Sequence, residues 1–473
     1  MTNKKTPGFV RMKQGVAVSD YLAPSQILVT SFLGVIIVAT CLLMLPISSS
    51  KGQATSFIDA LFTATSAVCV TGLTVVNTFA HWSHFGKFII ILCIQIGGLG
   101  FMTLVSMLFI MMGRRITLKN RLLMQEALSF NTTAGIVRFT RYIVVSTFLV
   151  ELIGAFFMSF IFIPEYGFGK GVAYSLFHAI SAFCNAGFDI IGDSNLTPYR
   201  GNVLMNLVVM LLIIMGGLGF NVWIDTYKAF KVKKKKGKHF TWKQTLSAMS
   251  LHTRLVWIIT LGLLFLGFAF FFLAEYRNPG TLGGLSLKEK ILGAFFQSVT
   301  TRTAGFNTIS LPDLTDGSKV MTMLLMFIGG SPAGTAGGIK TVTVGVLILS
   351  AFSTIKGKDE TVLFKRRIPR QIIARALTVV MLSFGIIFIM VMLLTFTENM
   401  GFMELLFEVI SAFGTVGITL GVTSNLSIIG KAIIIILMFI GRLGPITMVV
   451  ALTIKQSKDK GTVQYPEEKV LVG

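Results

Sequence analysis

Four short stretches of this chain place small residues around a glycine in the same order. They are Ser66-Ala67-Val68-Cys69-Val70-Thr71-Gly72-Leu73, Ser181-Ala182-Phe183-Cys184-Asn185-Ala186-Gly187-Phe188, Val299-Thr300-Thr301-Arg302-Thr303-Ala304-Gly305-Phe306 and Ser411-Ala412-Phe413-Gly414-Thr415-Val416-Gly417-Ile418. Gly72, Gly187, Gly305 and Gly417 are 115, 118 and 112 residues apart, and each precedes a large apolar side chain. The chemistry available here is coordination by the main chain. A permeating cation must exchange its water oxygens for others, and rings of backbone carbonyls supply them. Pointing successive carbonyls inward needs backbone angles that a Cβ resists and glycine accepts. One glycine per copy and four copies make one ring. The flanking pairs Val70 and Thr71, Asn185 and Ala186, Thr303 and Ala304, and Thr415 and Val416 complete a candidate filter.

The surroundings are those of a membrane protein. Charged residues are 13% of the chain, about half the roughly 25% of a soluble domain, while hydrophobic residues reach 53%. Apolar runs long enough to cross a bilayer lie near 26–48, 84–112, 139–163, 200–229, 252–275, 318–353, 374–397 and 427–454. They form four pairs. Between the members of each pair lies a shorter segment ending in the repeated glycine: 56–71, 171–186, 287–303 and 401–416. Each reads as a helix that enters the membrane part-way and returns as extended chain, a shape tolerated at that depth only inside protein or beside a watery cavity. The expected fold is all-α integral membrane: eight spans plus four re-entrant pore helices, in four repeats around one pseudo-fourfold pore.

Net charge is +22, and the basic residues concentrate after each second span. They include Arg114, Arg115, Lys119 and Arg121, then Lys228, Lys231, Lys233 to Lys236 and Lys238, then Lys356 to Arg370, and finally Lys455, Lys458 and Lys460. The positive-inside bias then puts both termini in the cytoplasm and the glycine loops outside. The expected division is a tail (1–24), repeat 1 (25–112), a loop (113–138), repeat 2 (139–230), a basic loop (231–251), repeat 3 (252–353), a basic loop (354–373), repeat 4 (374–455) and a tail (456–473). Lys233 to Lys236 serve orientation and contact with anionic lipid; docking of an acidic cytosolic partner is the other reading. Asp189 at the outer mouth either concentrates cations or is a plain surface acid.

A second pattern recurs 25, 29, 24 and 24 residues past the filter glycines, starting at Gly97, Gly216, Gly329 and Gly441. In Gly97-Gly98-Leu99-Gly100 and Gly216-Gly217-Leu218-Gly219 small residues for close helix packing suffice as an explanation. The third copy, Gly329-Gly330-Ser331-Pro332-Ala333-Gly334-Thr335-Ala336-Gly337-Gly338, holds five glycines and a proline within one apolar run. Glycine costs about 1 kcal/mol and proline about 3 kcal/mol in a helix interior, so a broken span facing a cavity is expected, a candidate gate on the cytoplasmic side of the ring. The fourth copy carries Arg442, a charge that should face the interior or water. It opposes cations beneath the ring, or is tied to carbonyls or to a carboxylate such as Glu151 or Glu408, and the two readings can hold together.

These features together resemble the Trk/Ktr/HKT superfamily of potassium transporters, and most closely its Ktr-type bacterial membrane subunits (KtrB or KtrD). The resemblance spans essentially the whole chain: M1–P-loop–M2 repeats, four filter glycines, the glycine-rich break and Arg442. Thr415-Val416-Gly417 is also similar to the potassium-channel filter. Trk-type relatives carry two further N-terminal spans; their absence here favours Ktr. The resemblance implies K+ bound at Gly72, Gly187, Gly305 and Gly417, with 329–338 as an intramembrane gating loop and Arg442 near it. It also implies a homodimer with one pore per protomer and a cytosolic nucleotide-sensing RCK ring of the KtrA or KtrC type. Glycine at all four filter positions implies potassium selectivity, with Na+ a candidate activator.

Other classes fit less well. A coupled secondary transporter usually places several ionisable groups near the midplane, and the candidates here are Glu151, Glu408 and Arg442. His81, His84, His178, His239 and His252 are scattered, which argues against an enzyme. Cys41, Cys69, Cys93 and Cys184 have no metal-ligand spacing and read as small buried residues, two of them flanking the pore. With no Walker or dinucleotide-binding motif, no cofactor, nucleotide or nucleic acid is expected on this chain.

Overall fold

The structure, a computed structural model, describes residues 24–100, 103, 135–192, 195–236 and 241–452. The expected tails, most of the loop after repeat 1 with Arg114, Arg115, Lys119 and Arg121, and the basic residues Lys238, Lys455, Lys458 and Lys460 lie outside these described residues. In chain order the main helices are α1 (Pro24–Met44), α2 (Phe57–Val68), α3 (His84–Leu99), α4 (Ile136–Tyr166), α5 (Phe168–Phe183), α6 (Val203–Leu218) and α7 (Phe220–Lys236). They continue as α8 (Leu251–Glu275), α9 (Leu287–Thr300), α10 (Asp316–Phe327), α11 (Thr341–Ile355), α12 (Arg370–Thr397), α13 (Phe402–Gly414), α14 (Ile428–Leu443) and α15 (Pro445–Leu452). The basic segment before α12 adds a two-stranded hairpin, Val362–Leu363 against Arg366–Arg367. Its turn residues Phe364 and Lys365 both have positive φ, the type I′ geometry that matches strand twist.

Four helices, α1, α4, α8 and α12, are long and apolar enough to cross a membrane. Their outer faces leave Phe148, Phe156, Phe160, Phe265, Phe388 and Phe396 exposed, a surface that lipid and not water would cover. Each long helix packs along the half-helix that follows it: α1 on α2, α4 on α5, α8 on α9 and α12 on α13. The half-helices begin with local devices for their unpaired N–H groups. Ser56 Oγ accepts from Asp59 N at 3.3 Å, and Ser286 and Glu289 form a capping box. Asp59, Glu289 and Glu404 sit in first turns, where the helix dipole favours negative charge.

The second member of each pair differs from the expected continuous span. α3 ends at Gly100; α6 and α7 meet at 97° across Gly219; α14 and α15 meet at 100° across Gly444. All three glycines have φ between 80° and 87°. In the third pair, residues 328–340 between α10 and α11 are not helical at all. The packing role expected for the first two glycine clusters is plain at Gly97 and Gly216, and Gly441 in the fourth packs the same way. A Cβ there would collide with the carbonyl oxygen of Val68, Phe183 or Phe413, at the end of the half-helix in the same pair.

Packing then runs around a circle. The second helix of each pair contacts the half-helix of the next: α3 on α5, α6 on α9, α10 on α13, and α14 back on α2. The last junction joins residues far apart in sequence, where Lys431 Nζ lies 2.8 Å from Asp59 Oδ1 with both side chains largely buried. Asp59→Asn should therefore lower the detergent-solubilised protein's stability by about 1–2 kcal/mol, between values typical of exposed and buried pairs. The exchange Asp59→Lys with Lys431→Asp should restore part of it in thermal unfolding; equal melting of wild type and Asp59→Asn would refute this role.

Candidate functional site

The four half-helices end at the four glycine stretches, and their last carbonyls lack partners within the helix. The chain leaves each helix through a residue of positive φ: Val70 (57°), Asn185 (61°), Thr303 (70°) and Thr415 (51°). Two residues on, the glycines have φ of 92°, 72°, 81° and 88°. Each non-glycine residue in that region carries real steric strain, yet all four copies adopt it. The turn is held by repeated main-chain bonds. Thr71 N donates to Ser66 O at 2.8 Å, Ala186 N to Ser181 O at 2.7 Å and Val416 N to Ser411 O at 2.9 Å. In the third copy Ala304 N donates to Thr300 O at 3.0 Å instead, one residue later.

The four segments meet edge to edge. A Cβ on Gly72 would collide with Ala186 O, one on Gly187 would lie 2.7 Å from Ala304 O, one on Gly305 2.8 Å from Val416 O, and one on Gly417 would collide with Thr71 O. Each glycine thus abuts the carbonyl just before the next glycine, and the fourth closes on the first. No side chain beyond hydrogen fits at these four positions without displacing main chain. The large residues after the glycines, Leu73, Phe188, Phe306 and Ile418, are buried to 1% exposure or less and anchor the ring from behind. Hydroxyls on the half-helices anchor it too. Gly72 N donates to Ser66 Oγ at 3.0 Å, Ser181 Oγ to Phe188 O at 2.8 Å, and Thr300 Oγ1 to Phe306 O at 2.5 Å. These hydroxyls escaped the sequence reading, although two of them, Ser66 and Ser181, recur six residues before the glycine. Asp189 lies off the ring, half-buried, with Oδ2 accepting from Asn195 Nδ2 at 3.1 Å.

The loop 329–338 is strapped to this assembly. Ser331 N donates to Gly217 O at 2.8 Å, Thr335 N to Gly216 O at 3.1 Å, and Phe220 N to Ala333 O at 3.0 Å. Thr335 Oγ1 donates to Phe183 O at 3.1 Å and lies 3.3 Å from the Asn185 amide, which lies 3.3 Å from Thr303 Oγ1. One side chain therefore touches two ring segments and the loop, a role its sequence position did not reveal. Gly337 abuts the Thr415 side chain, and Gly338 lies against the Gly414 carbonyl. Pro332, Ala333, Gly334 and Ala336, together with Lys340 and Arg442, line a cavity of about 900 Å³ that no ring glycine reaches.

Arg442 is tied to carbonyls. Its guanidinium donates to Thr335 O in the loop and to Gly97 O in α3. The carboxylates weighed as its partners are engaged elsewhere. Glu151 accepts from Gln95 Nε2 at 3.1 Å and faces Cys184 Sγ at 3.7 Å. Glu408 accepts from Thr419 Oγ1 at 2.6 Å and Thr423 Oγ1 at 2.5 Å. Lys340 Nζ also turns to a carbonyl, Ala336 O, at 2.7 Å. Cys69 and Cys184 are free and buried at the half-helix ends. Among the described residues no group of three His, Cys, Asp or Glu side chains could hold a metal ion.

This arrangement has known counterparts. Residues 6–462 match the TrkH family model, described as cation transport protein. The chain is 44% identical over 450 residues to the Ktr system potassium uptake protein B of Bacillus subtilis, covering 95% of this chain and 97% of that one. It is 41% identical over 456 residues to the potassium/sodium uptake protein NtpJ of Enterococcus hirae, covering 96% and 98%. The Ktr system potassium uptake protein D of Bacillus subtilis is 35% identical over 465 residues, with 98% and 100% covered. The crystal structure of the potassium transporter TrkH from Vibrio parahaemolyticus has the same fold, with a TM-score of 0.69 at 19% identity over 90% of this chain and 85% of that one. These relatives are transporters and not enzymes, and the chain belongs to the TrkH family of cation transport proteins.

Proposed function

We propose that the chain carries potassium across the cell membrane through one pore, with the ring of Gly72, Gly187, Gly305 and Gly417 as its selectivity filter. The observation that carries this reading is the cyclic contact of each glycine with the carbonyl before the next, which brings Thr71, Ala186, Ala304 and Val416 to one centre. Such a ring offers a dehydrated cation oxygen ligands, and four helix C-termini add partial negative charge without a buried carboxylate. Val70, Asn185, Thr303 and Thr415 extend the oxygen path. The uptake named for the Ktr relatives fits this chemistry.

Around the filter the reading assigns four repeats with pseudo-fourfold symmetry, bounded as the sequence divides them, with both termini cytoplasmic. The loop Gly329-Gly330-Ser331-Pro332-Ala333-Gly334-Thr335-Ala336-Gly337-Gly338 is the gate, and Arg442 is its latch. Its two hydrogen bonds to carbonyls tie the loop to α3, so an open pore requires that tie to break. Asp189 concentrates cations at the outer mouth. The name "Ktr system" of the relatives supports further components beside this chain, and we assign these to a second copy of the chain and a cytosolic RCK ring of the KtrA or KtrC type. Sodium is the second ion to consider, as an activator or a permeant species, because one relative is named a potassium/sodium uptake protein. Glycine at all four ring positions favours potassium.

Three measurements test these assignments. Gly417→Ser brings a side chain onto Thr71 O and should reduce potassium-over-sodium discrimination about tenfold, equivalent to about 1.4 kcal/mol; unchanged uptake ratios for the two ions would remove the ring from the filter role. Deletion of Gly334 to Gly338 should raise potassium flux severalfold in reconstituted vesicles, whereas wild-type flux would exclude gating by the loop. Uptake by the purified lone chain should be indifferent to ATP and ADP and gain nucleotide sensitivity on adding an RCK partner; sensitivity without the partner would contradict the assignment.

A further inference from the structure

Behind the third glycine segment lies a second cavity, of about 10 Å³, lined among others by Gly217, Thr260, Leu264, Val299, Arg302 and Gly330. That is the room of one water-sized probe, so a halide enters it with a small outward shift of the lining side chains Leu264 and Val299. Arg302 reaches it with a side chain that ring formation has buried: the residue is 8% exposed. Its Nη2 donates to Gly329 O at a long 3.4 Å, while its Nε–H has no partner. Thr260 Oγ1, on the same cavity, has none either. Among the described residues no carboxylate pairs with Arg302; the ion pairs there join other residues.

A buried guanidinium without a counter-charge is strongly unfavourable. The carbonyl ends of α9 and α10 supply part of what is needed, because a helix C-terminus carries only about half a negative charge. The unspent groups on the cavity are donors, since guanidinium only donates and the threonine hydroxyl is able to. The nearby acceptors are engaged: Gly217 O by Ser331 N at 2.8 Å, Gly330 O by Thr341 N at 3.0 Å, and Leu264 O by Ser298 Oγ at 2.7 Å. A water placed here would satisfy both donors and could give its protons to the second lone pairs of these carbonyls, but it would leave the charge unchanged. A species that only accepts and carries one negative charge satisfies all three demands.

We propose that this cavity binds one small monovalent anion of halide size, held between Arg302 and Thr260. The anion neutralises Arg302 one residue from Thr303, where a free guanidinium would repel any cation approaching the ring. It also sits where filter segment and loop meet, because the same guanidinium holds Gly329 O.

Bromide is the probe. The full chain, purified in detergent, is crystallised from sodium bromide, and thermal unfolding is titrated with bromide against gluconate at constant ionic strength. The expected results are a bromine anomalous peak between Arg302 and Thr260 and a saturable rise in melting temperature. Thr260→Val, which removes one donor at nearly constant shape, should weaken the bromide midpoint about tenfold; Arg302→Gln should abolish the rise. Absence of the peak with bromide-independent melting overturns the proposal and leaves the cavity to water, and so does a Thr260→Val midpoint equal to wild type. If Arg302→Gln fails to fold, the wild-type peak and the Thr260→Val titration still decide.

Discussion

The contact on which the rest depends is that of a glycine Cα with a neighbouring carbonyl oxygen, made four times around a circle. It fixes how near the four segments approach, and through them where the half-helices must end. It also fixes why those helices are short. A helix continued through Val70 or Thr415 would carry the chain away from the centre, and the left-handed residue at each of these positions is what stops it. Strain at four non-glycine residues is tolerated because the main-chain bonds back into each half-helix over-determine the turn.

A second layer of glycines holds the first. Gly97, Gly216 and Gly441 let α3, α6 and α14 press against the carbonyl ends of the half-helices, so three of the four glycine segments are wedged between their own helix and the next element in the chain. The charges inside obey the same economy of polar groups. Arg442 and Lys340 donate to loop and helix carbonyls, and Glu408 accepts from hydroxyls four residues apart. None of these relies on a side chain of opposite charge.

Much of this was legible in the sequence because it repeats. Four glycines at a period near 115 residues located the ring, and the half-helices start and stop within a few residues of the expected bounds. The five-glycine break was legible from helix propensity alone. The bends at Gly219 and Gly444 were not read, although Gly444-Pro445 is a breaker pair, because both spans stay apolar on either side of the glycines and the cluster at Gly216 was assigned to close helix packing. The ties of Arg442 and Asn185 were equally hidden. Both residues bond to groups more than 100 positions away, and neither periodicity nor composition carries that information. Serine recurs at positions 66, 181 and 411, but serine in a helix has too many uses for that recurrence to name one, and Ser411 Oγ finds no partner while Ser66 and Ser181 anchor their segments.

The circle of glycines is drawn by a single polypeptide, and this sets how it can change. In an assembly of four identical chains any substitution is made four times, and the opening alters in whole steps. Here Gly417 can change while Gly72, Gly187 and Gly305 stay as they are, so the opening can be adjusted by quarters. The third copy already uses that freedom, with its shifted hydroxyl at Thr300 and a charged residue at Arg302 where the other three carry none. With the ring as the proposed filter, a lineage built on this plan is able to drift from one ion preference to another through intermediates in which three sides of the ring are unchanged.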